Sequence, residues 1–277
     1  MAKRERMQGR QSREVMNEIV SPVLFVFAHQ DDELAYLGLM RRMVREGRDV
    51  RVVWVTDGAF TTSAEARREE SLKTMRMLGI EEERLLFLGY PDGRSIHFSL
   101  PIIERLSELI EEIDPAEIYT LAFEGGHPDH DLVHFAAVIA AGRREPRIPI
   151  FETSLYNSFM THAVRFNRLV PAEAETRHSP LSWEDALFKL RAAFNYKSQM
   201  RGPSIFNLLC VGRRRPGRGE PYREVPPRDY LQPPHEGKLF YEKFYLWRKL
   251  CVSFADFRDT VERFIRNGGN RKTTCGA

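Results

Sequence analysis

The chain has 277 residues, 42 of them basic and 39 acidic, with a formal net charge of +3. Hydrophobic residues make up 42% and charged residues 29%, the balance of an ordinary globular protein with a sizeable core. So even a charge leaves no footprint for nucleic acid or an anionic membrane, and no apolar run approaches the roughly 18 residues of a membrane span.

In chain order, residues 1–20 carry charge with no apolar core behind it. They are expected to form a flexible arm and not a secretory signal. The apolar run 23–28 (VLFVFA) is of strand length, and 32–47 then has helical spacing through Leu34, Leu37 and Met40 before stopping at Gly47. A second buried strand is predicted at 50–56 (VRVVWVT). A helix follows over 63–79, capped by Ser63 and closed by Gly79. A strand at 84–89, a helix at 100–113 with proline near its start, a strand at 116–123 and a helix from about 128 to 141 complete the first half. Four strand–helix alternations predict a Rossmann-like α/β fold: a mostly parallel sheet with helices on both faces in three layers.

The second half is less regular. Residues 151–157 (FETSLYN) read as a strand and 183–197 as an amphipathic helix. Phe254, Phe257, Val261, Phe264 and Ile265 form one stripe of a last helix that packs on the core. The expected organisation is the arm (1–20) and one domain (21–277). Within that domain, an α/β core runs to about residue 200, and a helical and loop extension covers about 201–277. The basic stretch around Arg213, Arg214 and Arg215 reads as a solvated loop. Cys210, Cys251 and Cys275 are odd in number and widely spaced, which fits a reducing cytoplasm and no disulfide framework.

Ligands of a parallel sheet bind beyond the carboxyl ends of its strands, and two unusual stretches fall there. "AHQDDE" (28–33) ends the first strand with His29, Asp31 and Asp32. "GHPDHDLVH" (126–134) follows the fourth with His127, Asp129, His130 and His134. Either alone is ordinary turn or cap chemistry. Together they offer imidazole and carboxylate donors suited to a divalent metal, with a position left for water or substrate. His134, one turn beyond His130, reads as a packing residue. No G-x-G-x-x-G, G-x-x-x-x-G-K-[ST] or G-x-S-x-G occurs at the expected places, so dinucleotide, P-loop and serine-hydrolase chemistry have no support.

These stretches resemble the two signatures of the LmbE-like (PIG-L) family of zinc-dependent N-acetylglucosamine deacetylases. "RREESLKTMRMLG", "FLGYPDG" and "YKSQ" resemble further blocks, so the likeness runs over 23–199. The resemblance implies that His29, Asp32 and His130 hold Zn2+, although Fe2+ and other divalent ions suit such donors. It implies Asp31 as general base toward water, and His127 as oxyanion stabiliser or proton donor with Asp129 orienting its ring. Arg67 and Asp92 are the implied substrate contacts. The implied substrate is an N-acetylated sugar or glycoconjugate; a different amide, or a non-catalytic zinc or sugar-binding module, are the alternatives. No nucleic-acid partner is expected, and oligomeric state stays open. The chain departs from the pattern twice: Gln30 stands for the usual proline, and Gly125 and Gly126 stand where aromatic residues are common, which predicts a roomier pocket.

Overall fold

The computed structural model of the chain describes residues 21–161, 163–171, 174–200, 219–243 and 252–268. The N-terminal arm, the three cysteines and Arg213, Arg214 and Arg215 lie outside them.

The first strand, β1 (Val23–Phe27), pairs in parallel with β2 (Val50–Thr56) on one side and β4 (Glu117–Leu121) on the other. Parallel strands β3 (Leu85–Tyr90) and β5 (Ile150–Thr153) flank these. The order is therefore 3-2-1-4-5, with its reversal between β1 and β4. At that reversal the two crossover connections leave in opposite directions and open a crevice at the carboxyl ends of the strands. Both sequence signatures follow these two strands.

Burial on both faces explains the uninterrupted apolar strands. Leu24 and Val26 point to one core, which is closed by α3 (Ser99–Ile113), α4 (Pro128–Gly142) and α7 (Phe254–Arg266). Val23, Phe25 and Phe27 point to the other, closed by α1 (Leu37–Arg45), α2 (Ala64–Leu78) and part of α5 (Trp183–Ala193). The three-layer α/β/α arrangement is the one the alternation predicts. The last-helix stripe also lands in the core, with Phe257, Val261 and Phe264 buried.

Three boundaries differ from expectation. The segment 32–47 is broken into a short 3-10 turn, Asp32–Ala35, and then α1, because the metal-type residues occupy the turn. The run 151–157 divides into β5 and β6 (Tyr156–Asn157), which leaves the main sheet to pair with β7 (Arg165–Phe166). The predicted helix 183–197 ends at Ala193, and Lys197–Gln199 forms a separate 3-10 turn. The C-terminal extension is also more than helices and loops. Its strand β9 (Glu220–Glu224) pairs antiparallel with β5, and β8 (Arg177–Ser179) with β9, extending the sheet to seven strands among the described residues. A short helix, α6 (Phe240–Lys243), precedes α7. No described helix is long and apolar enough to cross a membrane.

A buried ion pair ties the halves together. Lys189 of α5 meets Glu220 at the start of β9, each side chain 1% exposed, and the Glu220 carboxylate also accepts the N–H groups of Gly38 and Leu39 at the start of α1. Removing one member of such a pair leaves an uncompensated buried charge, at about 3–5 kcal/mol. Lys189→Met is therefore expected to lower the melting temperature by roughly 10 °C. Glu220→Gln added to it should recover part of that loss in the same thermal melt.

Candidate metal centre and active site

Backbone geometry at the end of β1 sets the site. Asp31 sits at φ 117°, a conformation that costs a non-glycine residue about 1–3 kcal/mol and must be held from outside. Glu33 holds it. This buried carboxylate accepts the Asp31 N–H at 2.8 Å, Trp54 Nε1–H at 3.0 Å, and the hydroxyls of Ser71 and Tyr196 at 2.5 Å each. The kink turns Asp31 and Asp32 in different directions. Arg67 on α2 donates from Nη2 to Asp31 Oδ1 at 3.0 Å, while Asp32 faces His130.

Three donors converge as a metal would require. His29 Nδ1 lies 3.1 Å from His130 Nε2 and 3.7 Å from Asp32 Oδ2, and His130 Nε2 lies 3.2 Å from Asp32 Oδ1. Donors placed tetrahedrally about zinc at its usual bond lengths stand about 3.4 Å apart, so this set fits a cation. The histidines His29, His127 and His130 also form a cluster within metal-binding range, as do His29, Asp92, His127 and Asp129. Electrostatics favour positive charge at this point. Against burial, His29 is raised well above its ordinary pKa by Asp92, Asp129 and Asp32. Asp32, despite burial, is held far below the carboxylate range by His130 and His29. Burial raises Asp31, and Arg67 opposes that rise. A carboxylate so placed has more appetite for a proton than a solvated one.

The second signature folds around the N-terminus of α4. His127 is its cap residue, and its Nδ1 accepts the Asp129 N–H at 3.1 Å. That contact puts the proton of the neutral ring on Nε2. Burial, and then His29, lower its pKa well below the ordinary value. The Asp129 carboxylate lies within 4.8 Å of a His127 ring nitrogen and raises that ring's pKa electrostatically, and it also reaches a second histidine. It lies 3.1 Å from His29 Nε2, fixed there by Gly93 N–H at 2.6 Å and by Ser95 Oγ at 2.5 Å. Asp92 Oδ1 shares the same His29 nitrogen at 3.1 Å. Both carboxylates thus stand behind His29 and fix which nitrogen faces His130 and Asp32. Arg67 keeps Nε and Nη1 buried with no partner among the described residues, as does Gln30 Oε1; Gln30 Nε2 donates to the Thr56 carbonyl. His134 stays out of the cluster, bonded to the Leu121 carbonyl and to Tyr230.

Sequence reasoning missed Tyr156 and Glu124. Tyr156 packs its ring edge against His130, with centroids 5.8 Å apart, and burial and the charges of Asp32 and Asp31 keep its phenol protonated. The pocket is not roomier at the two glycines. A Cβ on Gly126 would lie 2.2 Å from the Tyr156 carbonyl, and one on Gly125 would lie 2.7 Å from Leu239, so both neighbours already fill the space. Glu124 explains why the chain bends there. Its buried carboxylate accepts the N–H groups of Leu155 and Tyr156 at 2.8 and 3.0 Å, and also Ser154 Oγ and Asn157 Nδ2. No local pattern around residue 124 or 156 announces a contact between them.

A 3-2-1-4-5 sheet with a histidine–aspartate cluster at its reversal defines a Rossmann-like α/β protein with a candidate metal centre. Residues 24–141 match the PIG-L family model, described as GlcNAc-PI de-N-acetylase, the family whose signatures the two stretches resemble. Two proteins named 1D-myo-inositol 2-acetamido-2-deoxy-alpha-D-glucopyranoside deacetylase, from Mycobacterium sp. strains KMS and JLS, are 29% identical over 195 residues, 57% of this chain. The chain spans 63% of the length of these curated relatives. The fold is shared with the zinc-inhibited form of teicoplanin deacetylase Orf2 at TM-score 0.57 and 19% identity, over 74% of this chain and 98% of that one. It is shared also with GalB, the 4-carboxy-2-hydroxymuconate hydratase of Pseudomonas putida, at TM-score 0.53 and 15% identity, over 75% and 97%. The fold alone therefore does not fix the reaction; the side chains at the reversal must.

Burial pushes the Glu124 carboxyl up to about 7, against the hydrogen bonds it accepts. A carboxyl raised in the folded state stabilises most below its ordinary pKa of 4.5, and that contribution is lost as pH rises toward 7. Each pH step of one within this window removes up to about 1.4 kcal/mol. Glu124→Gln is expected to flatten the fall of melting temperature over this range; an unchanged slope would show that Glu124 stays ionised throughout.

Proposed function

We propose that the chain is a metal-dependent N-deacetylase that hydrolyses the acetamide of an N-acetylated amino sugar or its glycoconjugate. One observation carries this reading. His29, Asp32 and His130 present donors 3.1–3.7 Å apart, and Asp31, held by Arg67, stands beside them without joining the set. A binding module needs the three donors and has no use for the fourth group.

His29, Asp32 and His130 would hold a zinc or iron(II) ion. When bound, such an ion supplies Lewis acidity, which polarises an amide carbonyl and makes water easier to deprotonate. The protein's own groups supply the proton traffic. Asp31, raised by burial, accepts a proton from the attacking water. The neutral His127 presents its Nε2–H to the developing oxyanion; Tyr156, protonated and packed against His130, would be a second donor. The C–N bond breaks as a proton passes to nitrogen, which leaves as the amine, and acetate remains. Arg67, with two guanidinium nitrogens lacking a partner among the described residues, is suited to a sugar or glycosidic oxygen, and its bond to Asp31 couples substrate binding to the base. Asp92 and Asp129 position His29. The GlcNAc-type substrate class follows the names of the curated relatives, and a cytoplasmic location follows the cysteine usage.

The test is acetate release from N-acetylglucosamine, a panel of its glycosides and several unrelated amides, with protein stripped by chelator and then reloaded with zinc. Zinc-restored release from an acetamido sugar is expected. Asp31→Asn should lower the rate about 10²–10⁴-fold with one metal per chain retained, whereas His130→Ala should lose the metal itself. Release from non-sugar amides alone would move the substrate class, and full activity in Asp31→Asn would remove the base from its role.

A further inference from the structure

The outward face of α5 is apolar, where an ordinary surface helix is polar. Trp183 is 80% exposed, Leu187 49%, Leu190 38% and Phe194 55%. With Met77, which Asn195 joins to the end of this helix through a bond to its sulfur, they make five of the eight large apolar residues exposed among the described residues. Scattered exposed apolar residues need no explanation, but a contiguous stripe marks a contact surface.

The spacing says what kind of contact. From Trp183 the stripe advances by four, three and four residues, the narrow seam by which one helix packs on another. That spacing reads the same from either end. An antiparallel copy laid on the seam places Trp183 over the partner's Phe194 and Leu187 over the partner's Leu190, and the reverse, as an isologous two-fold contact demands. Charge agrees. On the same edge, Glu184 follows the first apolar residue and Arg191 precedes the last, both exposed, so antiparallel pairing brings each near its opposite. A membrane-seeking helix carries lysine and arginine along its polar side. The helix instead carries one charge of each sign on this edge, Glu184 and Arg191, with Glu184 also bonded to Arg41 and Arg45 of α1.

We propose that α5 is a self-association surface through which two copies of the chain pair antiparallel along Trp183, Leu187, Leu190 and Phe194. A seam this short falls near the lower limit of roughly 1,200 Å² for stable interfaces, so the dimer is weak and concentration-dependent. Lys189 of the same helix anchors its inner face, so the seam is displayed on a fixed support.

The test is sedimentation of the full chain over a wide range of concentration. Wild type should pass from monomer to dimer. Leu187→Glu with Leu190→Glu should remain monomeric at every concentration with an unchanged melting temperature. Arg191→Glu, which sets Glu184 against the partner's new carboxylate, should weaken the dimer about tenfold, and Glu184→Arg added to it should restore association. The exposed bonds of Glu184 to Arg41 and Arg45 that the last change removes contribute little to folding. A wild-type chain that stays monomeric throughout overturns the proposal, and so does a dimer indifferent to these changes. Two further results overturn it in favour of other occupants. Monomer that binds uncharged phospholipid vesicles through the stripe would make it a lipid contact. Monomer whose melting temperature collapses in the double glutamate variant would make it a face covered by the chain's own residues.

Discussion

Four aspartates, Asp31, Asp32, Asp92 and Asp129, surround one buried imidazole, His29, at the end of an apolar sheet. Negative charge taken out of water is tolerable only where something pairs with it. Arg67 beside Asp31 and His130 beside Asp32 compensate part of it. The backbone supplies more: Gly93 and Ser95 donate to Asp129, which also lies in the first turn of α4, where the helix dipole favours a carboxylate. What is left is an excess of acceptors aimed at one point. The local strain at Asp31 and the placing of the loop after β3 follow from concentrating charge there.

That constraint also explains why the family-like stretches are spread over so much of the chain. They are parts of one contact network. Tyr196 of "YKSQ" and Ser71 of "RREESLK" both donate to Glu33 of "AHQDDE". Ser198 bonds Glu70, and Arg67 bonds Asp31. The Asp92 and Gly93 of "YPDG" bracket His29 and Asp129. Glu33 offers nothing to a substrate, being fully buried, yet four partners from four parts of the chain meet on it. It converts the packing of α2, β2 and the turn after α5 into one backbone angle at Asp31.

The layers, the parallel strands β1–β4 and the two groups of donor-type residues beyond β1 and β4 were legible because each depends on short-range pattern: apolar runs, caps, and polar residues three apart. The pairing of Asp129 was not. Adjacency in sequence suggested His127 alone, but in the first turn of a helix the Asp129 amide turns to His127 while its carboxylate also reaches His29 at the end of β1. Tyr156 and Glu124 were invisible for a different reason. A strand-like run such as 151–157 gives no sign that a carboxylate 31 and 32 residues away will capture its amides and break it. The apolar outer face of α5 was readable as amphipathicity, but which side would face water was not.

The glycines before His127 show how a local departure is absorbed at long range. Without side chains at 125 and 126, the loop admits two residues from far along the chain. Tyr156 comes to lie over His130, and Leu239 comes to lie against Gly125. The C-terminal segment then locks both. Phe240 N–H bonds the Gly125 carbonyl at 2.8 Å, the Phe240 ring packs edge-on against Tyr156, and Ser158 bonds the Lys238 carbonyl. The extension is thus a wall of the site and not an appendage. A side chain at 126 would push Tyr156 off His130, so the tyrosine and the glycine belong together as one solution. A larger residue at either glycine can be accommodated only if β6 and the segment around Leu239 move with it.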